Sequence, residues 1–198
     1  MGMLVRDLGS RVGAGFVAVF ALSAAGCEDT PPPNPAGAFY LDFRDTGAEC
    51  GLASHEAEMG VVGSSGDPEL IPNLQGGAEV TCTVEAASGG FRVSAELADA
   101  PNLRITIPVL STENTADNPA DGSATYASTD TGGDVYASPP ETPCKFWLDA
   151  EDGQFVRAGE AWLSFECDAI DNEGFSCALS TSYVAVRNCA GASPEEEE

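Results

Sequence analysis

Through most of this chain, hydrophobic and polar residues alternate with a period of two. In EVTCTVEA (79–86), Val80, Cys82 and Val84 face one way, and Thr81, Thr83 and Glu85 the other. FRVSAELAD (91–99) sets Phe91, Val93, Ala95 and Leu97 against Arg92, Ser94 and Glu96, and the intervening ASGG has the length and glycines of a hairpin loop. NLRITIPVL (102–110) alternates Leu103, Ile105, Ile107 and Val109, with Pro108 marking an edge or a strand end. These three runs predict a meander with one buried face. AFYLDFRD (38–45), CKFWLDA (144–150), QFVRA (154–158), AWLSFECDA (161–169) and SYVAVRNC (182–189) are further strand candidates, separated by turn residues such as Asp152-Gly153 and Ala158-Gly159. Eight short runs with turns between them predict an all-β antiparallel β-sandwich, or a barrel-like variant, as a single domain stapled by disulfides.

Two stretches depart from this pattern. SHEAEMG (54–60) has residues that favour one or two helical turns, and 111–143 is rich in Ser, Thr, Gly, Pro and Asp. The latter is long for a connection in a compact domain, so a strand over SATYAS (123–128) is expected within it, flanked by two shorter loops.

The N-terminus has its own logic. Arg6 and Arg11 precede an uncharged run from Val12 to Gly26, which is short for a bilayer span of about 20 residues but suits a secretory signal. At Ala24-Ala25-Gly26-Cys27 the segment resembles the lipobox of bacterial lipoprotein precursors, with Ala24 where that family usually carries Leu. The resemblance implies a diacylglyceryl group on Cys27, cleavage before it, and residues 1–26 as signal peptide. In the same family the residue after the cysteine influences sorting, and Glu28 in place of Asp implies the outer membrane, with the domain facing the periplasm or the cell surface. Cleavage by an ordinary signal peptidase near Ala25, leaving Cys27 a free thiol, is the alternative. Residues 27–37, with prolines at 31, 32, 33 and 35, then form a semi-rigid linker, 38–190 the β domain, and 191–198 a like-charged acidic tail. The domain itself also loosely resembles small acidic β lipoproteins of uncharacterised function, through VTCTV, WLSFEC and VRNC; that likeness implies no activity.

Charge and cysteine count narrow the picture. Eight basic residues stand against 32 acidic ones, a net −24. A chain this poor in clustered cations argues against nucleic acid, and attachment to a negative lipid surface has to be covalent or hydrophobic. The seven cysteines are Cys27, Cys50, Cys82, Cys144, Cys167, Cys177 and Cys189. If Cys27 carries lipid, the other six pair completely in an oxidising compartment. The preferred pairing is Cys167–Cys177 across a hairpin, Cys50–Cys82 in the first half and Cys144–Cys189 at the C-terminal strand, one of 15 connectivities.

Catalytic chemistry is hard to find. His55 is the only histidine, and HEAEM (55–59) carries Met59 where a zinc-protease helix needs its second histidine. GSSG (63–66) lacks the spacing of a nucleophile elbow, and no glycine-rich loop precedes a lysine, so no cofactor is indicated. Asp149 and Asp152 in DAEDG, and Asp168 and Asp171 in DAIDNEG, are weak calcium candidates, because they crowd oxygen ligands into turns without the EF-hand spacing. Trp147 and Trp162 sit inside strand patterns, as packing residues do. The sequence therefore points to a lipid-anchored, non-catalytic envelope protein with a structural, adhesive or binding role and an unknown partner. A carbohydrate- or calcium-binding cell-surface β-sandwich is the rival.

Overall fold

In a computed structural model, the described residues are 34–47 and 49–191. They form twelve strands and no helix: β1 (Ala36–Arg44), β2 (His55–Met59), β3 (Ile71–Pro72), β4 (Glu79–Ala87), β5 (Gly90–Ala98), β6 (Asn102–Leu110), β7 (Ala120–Ala127), β8 (Tyr136–Ala137), β9 (Cys144–Trp147), β10 (Phe155–Arg157), β11 (Glu160–Asn172) and β12 (Phe175–Arg187). The fold is all-β, one large antiparallel sheet in the order β2-β1-β12-β11-β8-β7-β6-β5-β4, with β3 beside β1, β10 beside β11, and β9 between β11 and β7. The segment expected as a signal peptide, Cys27 and the expected acidic tail from 192 onward lie outside the described residues.

The sheet folds over on itself. Val80, Leu97, Leu103 and Tyr126 are mutual partners across β4, β5, β6 and β7, one row along the inner face of that half. β1 lies along this row. At its start, Gly37 sits where a Cβ would stand 2.3 Å from Leu97 Cδ2 and 3.4 Å from Val80; near its end, the Phe43 ring lies 5.7 Å from that of Tyr126. β1 therefore crosses the strands it covers instead of running with them, which is the orthogonal mode of sheet packing. Phe39, Leu41 and Phe43 on β1 are fully buried against Val84, Val93, Ile105 and Ile107 from the meander and Phe146, Leu163 and Phe165 from β9 and β11.

A second, smaller core covers the opposite face of β1, β11 and β12. Ala38, Trp162 and Ala185 pack there under Val62 and Leu70, with Tyr40, Phe155 and Tyr183 at the margin. The overlying segment is pinned by backbone bonds between Val61 and Glu69 (3.0 and 2.8 Å) and by the Trp162 indole donating to Gly63 O at 3.2 Å. Trp162 is thus a packing residue under the GSSG loop, and Trp147 is half-buried on β9.

The meander is present, with β5 paired to β4 and β6, but the expected inward set fails at its end: Val109 is exposed and Leu110 is buried in its place, because the β5–β6 register shifts between Ile107 and Leu110. Pro108 lies near the end of β6, past the stretch that pairs with β7, as a strand-end proline should. Pairing with β7 stops at Thr106, and the β5 ladder shifts register before Leu110, so the missing N–H falls where the ladder has already loosened. The strand expected at 123–128 is β7, three residues earlier at its start. SHEAEMG is not helical. Residues 55–59 are strand β2, paired to β1, with Ala57 and Met59 buried and Glu56 and Glu58 outside. Helix-forming residue types were overridden there by the ladder that β1 offers.

All three expected disulfides are replaced by others: Cys50–Cys177, Cys82–Cys189 and Cys144–Cys167. Cys167–Cys177 fails on register. Cys167 stands opposite Leu179 and Cys177 opposite Ile170, three residues apart along β11 and two along β12. At about 3.3 Å per residue that is roughly 7–10 Å along the strands, and the ~5 Å between neighbouring strands adds to it, beyond the ~7 Å a disulfide tolerates between Cα atoms. Cys50–Cys82 fails because Cys50 follows the far end of β1, whereas β4 meets β1 at its start. Cys144–Cys189 fails because Cys144 sits on β9 beside β11, and Cys189 follows β12 to β4, where Ala190 bonds to Cys82 O and Val84 N at 3.0 and 2.9 Å.

Non-reducing peptide mapping of the chain should recover the 50–177, 82–189 and 144–167 linkages and no others. Gly37→Val should lower the unfolding free energy by about 1–3 kcal/mol, because Leu97 is fully buried and has no room to retreat; an unchanged melting temperature would contradict the crossing described above.

Candidate functional site

Three places in the fold gather polar or titratable side chains. The first lies on the outer face where β2, β1 and β12 meet. β12 carries an extra residue near Ser180–Ser182 relative to both neighbours, and such bulges re-aim side chains. Here the bulge turns Ser180 toward Asp42, which is 8% exposed and whose Oδ2 accepts the Ser180 hydroxyl at 2.5 Å and pairs with Arg44. Ser182 Oγ accepts the Asp42 N–H at 3.3 Å and donates to Ser180 O at 2.8 Å. Asp42 Oδ1 is buried with no partner. Tyr40, two residues back on the same face, has its phenol pushed above 10.0, first by burial and then by its hydrogen bond to Glu56.

The second is at the inner mouth of the fold. His55 stacks on Phe43, ring centroids 4.7 Å apart, and its Nδ1 lies 3.0 Å from Ala53 O. A carbonyl only accepts, so Nδ1 carries the proton and Nε2 is left to accept the Tyr126 hydroxyl at 3.1 Å. Tyr126 is 1% exposed, and burial pushes its phenol above 10.0, against an opposing hydrogen bond from Ser128. Burial also raises Tyr136. His55 shares the inward face with Ala57 and Met59, whereas Asp42 and Ser180 lie outside. The imidazole and the serine–carboxylate pair are on opposite sides of the sheet, so His55 forms no relay with Asp42 and Ser180.

The third is the end of the domain farthest from residue 34. The β11–β12 hairpin turns through Glu173 (φ 33°) and Gly174 (φ 103°), a two-residue loop with both φ values positive, which matches strand twist. Two segments are tied to it. Residues 45–47 and 49–51 attach through Ser176 N to Glu49 O (2.8 Å), Thr46 Oγ1 to Ser176 O (2.8 Å) and the Cys50–Cys177 bond. Residues 128–135 attach through Asn172 Nδ2 to Val135 O at 2.9 Å. Beside the latter loop, an open depression of about 460 Å³ is lined by Asn102, Ser128, Thr129, Gly132 and Gly133, with Ala100 and Ala127, and by no charged side chain.

The sequence-based candidates are scattered. Asp149 and Asp152 are exposed in the turn before β10, which is closed by Gln154 through Asp149 N (3.0 Å) and Asp149 O (3.0 Å). Asp168 and Asp171 are on strand β11, not in a turn, because the hairpin turns only at Glu173-Gly174. Among the described residues no three His, Cys, Asp or Glu side chains converge as a metal site, so the structure does not bring these four together. Sequence reasoning passed over Asp42, Ser180, Val135 and Phe175. The signal for the first pair is an Asp and an Arg inside LDFR, on a strand otherwise apolar; for Phe175 it is an aromatic directly after Glu-Gly.

No family model, no curated protein and no solved structure matches this chain.

The raised phenols carry a pH dependence with a definite sign. Unfolded tyrosines release protons near 10.0, while the folded ones hold theirs, so this contribution is fully present below about pH 10 and is lost as pH rises through the folded values. Tyr126→Phe should lower the unfolding free energy at neutral pH by about 1 kcal/mol, for the lost hydrogen bond to His55, and make the decline above pH 10 shallower. An identical alkaline decline in the variant would refute the assignment.

Proposed function

We propose that this chain is an exported lipoprotein: a non-catalytic, disulfide-stapled β domain held to the bacterial envelope by lipid on Cys27, with a binding or adhesive role. The observation that carries the reading is cysteine parity. All six cysteines after Cys27 are bonded to one another within the described fold, so Cys27 is the one left over. Disulfides of this number belong in an oxidising compartment, and an exported domain with one unpaired cysteine has a reason to spend it on lipid. Glu28 favours the outer membrane in this reading, and the prolines at 31–33 and 35 hold the domain clear of the surface. The non-catalytic part rests on the separation of His55 from Asp42 and Ser180 by the thickness of the sheet.

Acyl chains hold by burial of about 0.8 kcal/mol per methylene, so a multiply acylated Cys27 anchors the protein against the repulsion of its own acid excess. Expression of the full precursor should place the wild type in the membrane fraction and Cys27→Ser in the soluble fraction. Intact mass should report an N-terminal cysteine with added acyl mass. A wild-type Cys27 that takes up an alkylating reagent without prior reduction would overturn the lipid assignment.

A further inference from the structure

We infer that the end of the domain farthest from residue 34 is a docking surface for a basic polypeptide that carries an apolar side chain into contact with Phe175 and Val135. This names the partner class for the binding role proposed above and rests on that reading.

Single exposed apolar residues are ordinary, and Val61, Leu74 and Val109 are examples. Phe175 differs in how firmly it is held in view. It is 48% exposed at the hairpin tip, and its ring lies directly on the backbone of Gly51, where a Cβ would stand 2.5 Å from Cε1. Gly51 itself has φ 74°, a conformation that a side chain disfavours, and the neighbouring Cys50 is bonded to Cys177, two residues beyond Phe175. The disulfide, the primed turn at 173–174 and the glycine floor all fix the same aromatic. Val135, 56% exposed, is held at this end by the Asn172 amide, and Asn172 is the strand partner of Phe175. An aromatic fixed before the partner arrives loses little freedom on binding.

Charge chooses the partner. Asp45, Glu49, Asp130, Asp134 and Glu173 are exposed on the three segments joined here, with Asp171 half-buried among them. These segments carry no Lys or Arg, and the neighbouring Arg44 is turned back onto Asp42. Two exposed apolar residues joined through Asn172, on segments whose exposed charges are all acidic, complement a cationic surface that carries an apolar residue. A lipid surface of negative charge would be repelled.

The test uses the mature chain in detergent, and again the Cys27→Ser chain, so that failure of the anchor and failure of docking are read separately. The probes are an octalysine peptide and a peptide of equal charge with two leucines interspersed. The leucine peptide should bind about tenfold tighter, with backbone amide shifts changing over 45–51, 130–135 and 171–176. Val135→Ser and Phe175→Ser should each remove most of that gain and leave octalysine binding unchanged. Because Phe175 rests on Gly51 its variant is accompanied by a melting curve, and Val135→Ser carries the result if that variant unfolds. Equal affinity for the two peptides, or a leucine gain indifferent to Val135→Ser, would show a diffuse acidic surface and overturn the proposal. If both Cys27 forms bind alike but fractionate alike, docking stands and the anchor falls.

Discussion

The crossing of β1 over the row Val80, Leu97, Leu103 and Tyr126 is the contact on which the rest depends. It presses the two halves of one continuous sheet together, and it needs the close approach that Gly37 permits at its start. Without it, the inward faces of β4 to β7 would have no lid. The residues that meet there are distant in sequence, so chain entropy opposes the encounter until both halves exist. Two disulfides span separations of 127 and 107 residues, and each such closure restricts the unfolded chain by about 4–5 kcal/mol in the loop-entropy account. Their loops overlap, so the two effects do not add in full.

The strands were largely legible because a half-buried strand writes its burial directly into sequence. Val80, Cys82 and Val84 are inward as the alternation requires, and so are Leu103, Ile105 and Ile107. β1 reads less cleanly, since Ala36 to Leu41 is buried on both faces apart from Tyr40, and only the overlying segment with Val62 and Leu70 explains why. β2 was misread because His, Glu, Ala and Met carry weak strand preference, and a five-residue edge leaves few positions to reveal its period. The disulfides were illegible for a geometric reason. Cysteine faces follow from alternation, but partners follow from register, and the bulge at Ser180–Ser182 displaces the register of β12 against both neighbours.

The polar sites were hidden for a related reason. Asp42 looks like an outward strand residue in the sequence, and it becomes buried only because the bulged β12 brings Ser180 and Ser182 over it. Its charge is tolerated with Arg44 and one serine, leaving Oδ1 unpaired; burying a carboxylate so thinly supported costs stability. The acid excess elsewhere has a plainer distribution. Arg44, Arg92, Arg104, Lys145, Arg157 and Arg187 are each paired to a carboxylate, so the acids beyond those pairs have no cation of their own among these six. Exposed pairs of this kind contribute little to stability, and their effect is to leave no free cationic patch among the described residues.

The two ends of the domain put their constraints to different use. Near residue 34, the Cys82–Cys189 bond and the Ala190 contacts to Cys82 and Val84 bind the last strand to β4, so the constraint serves closure and its side chains are buried. At the opposite end, the Cys50–Cys177 bond is equally buried, yet the residue it steadies, Phe175, is half in solvent. A fold that needed the second bond for stability alone could have turned a polar residue outward at that hairpin, since Glu173-Gly174 already supplies the turn. Keeping an aromatic there costs exposed apolar area in every unbound molecule. Such a cost is offset when the ring is covered in a complex, and the acidic charges of the segments joined there make a basic surface the complementary cover.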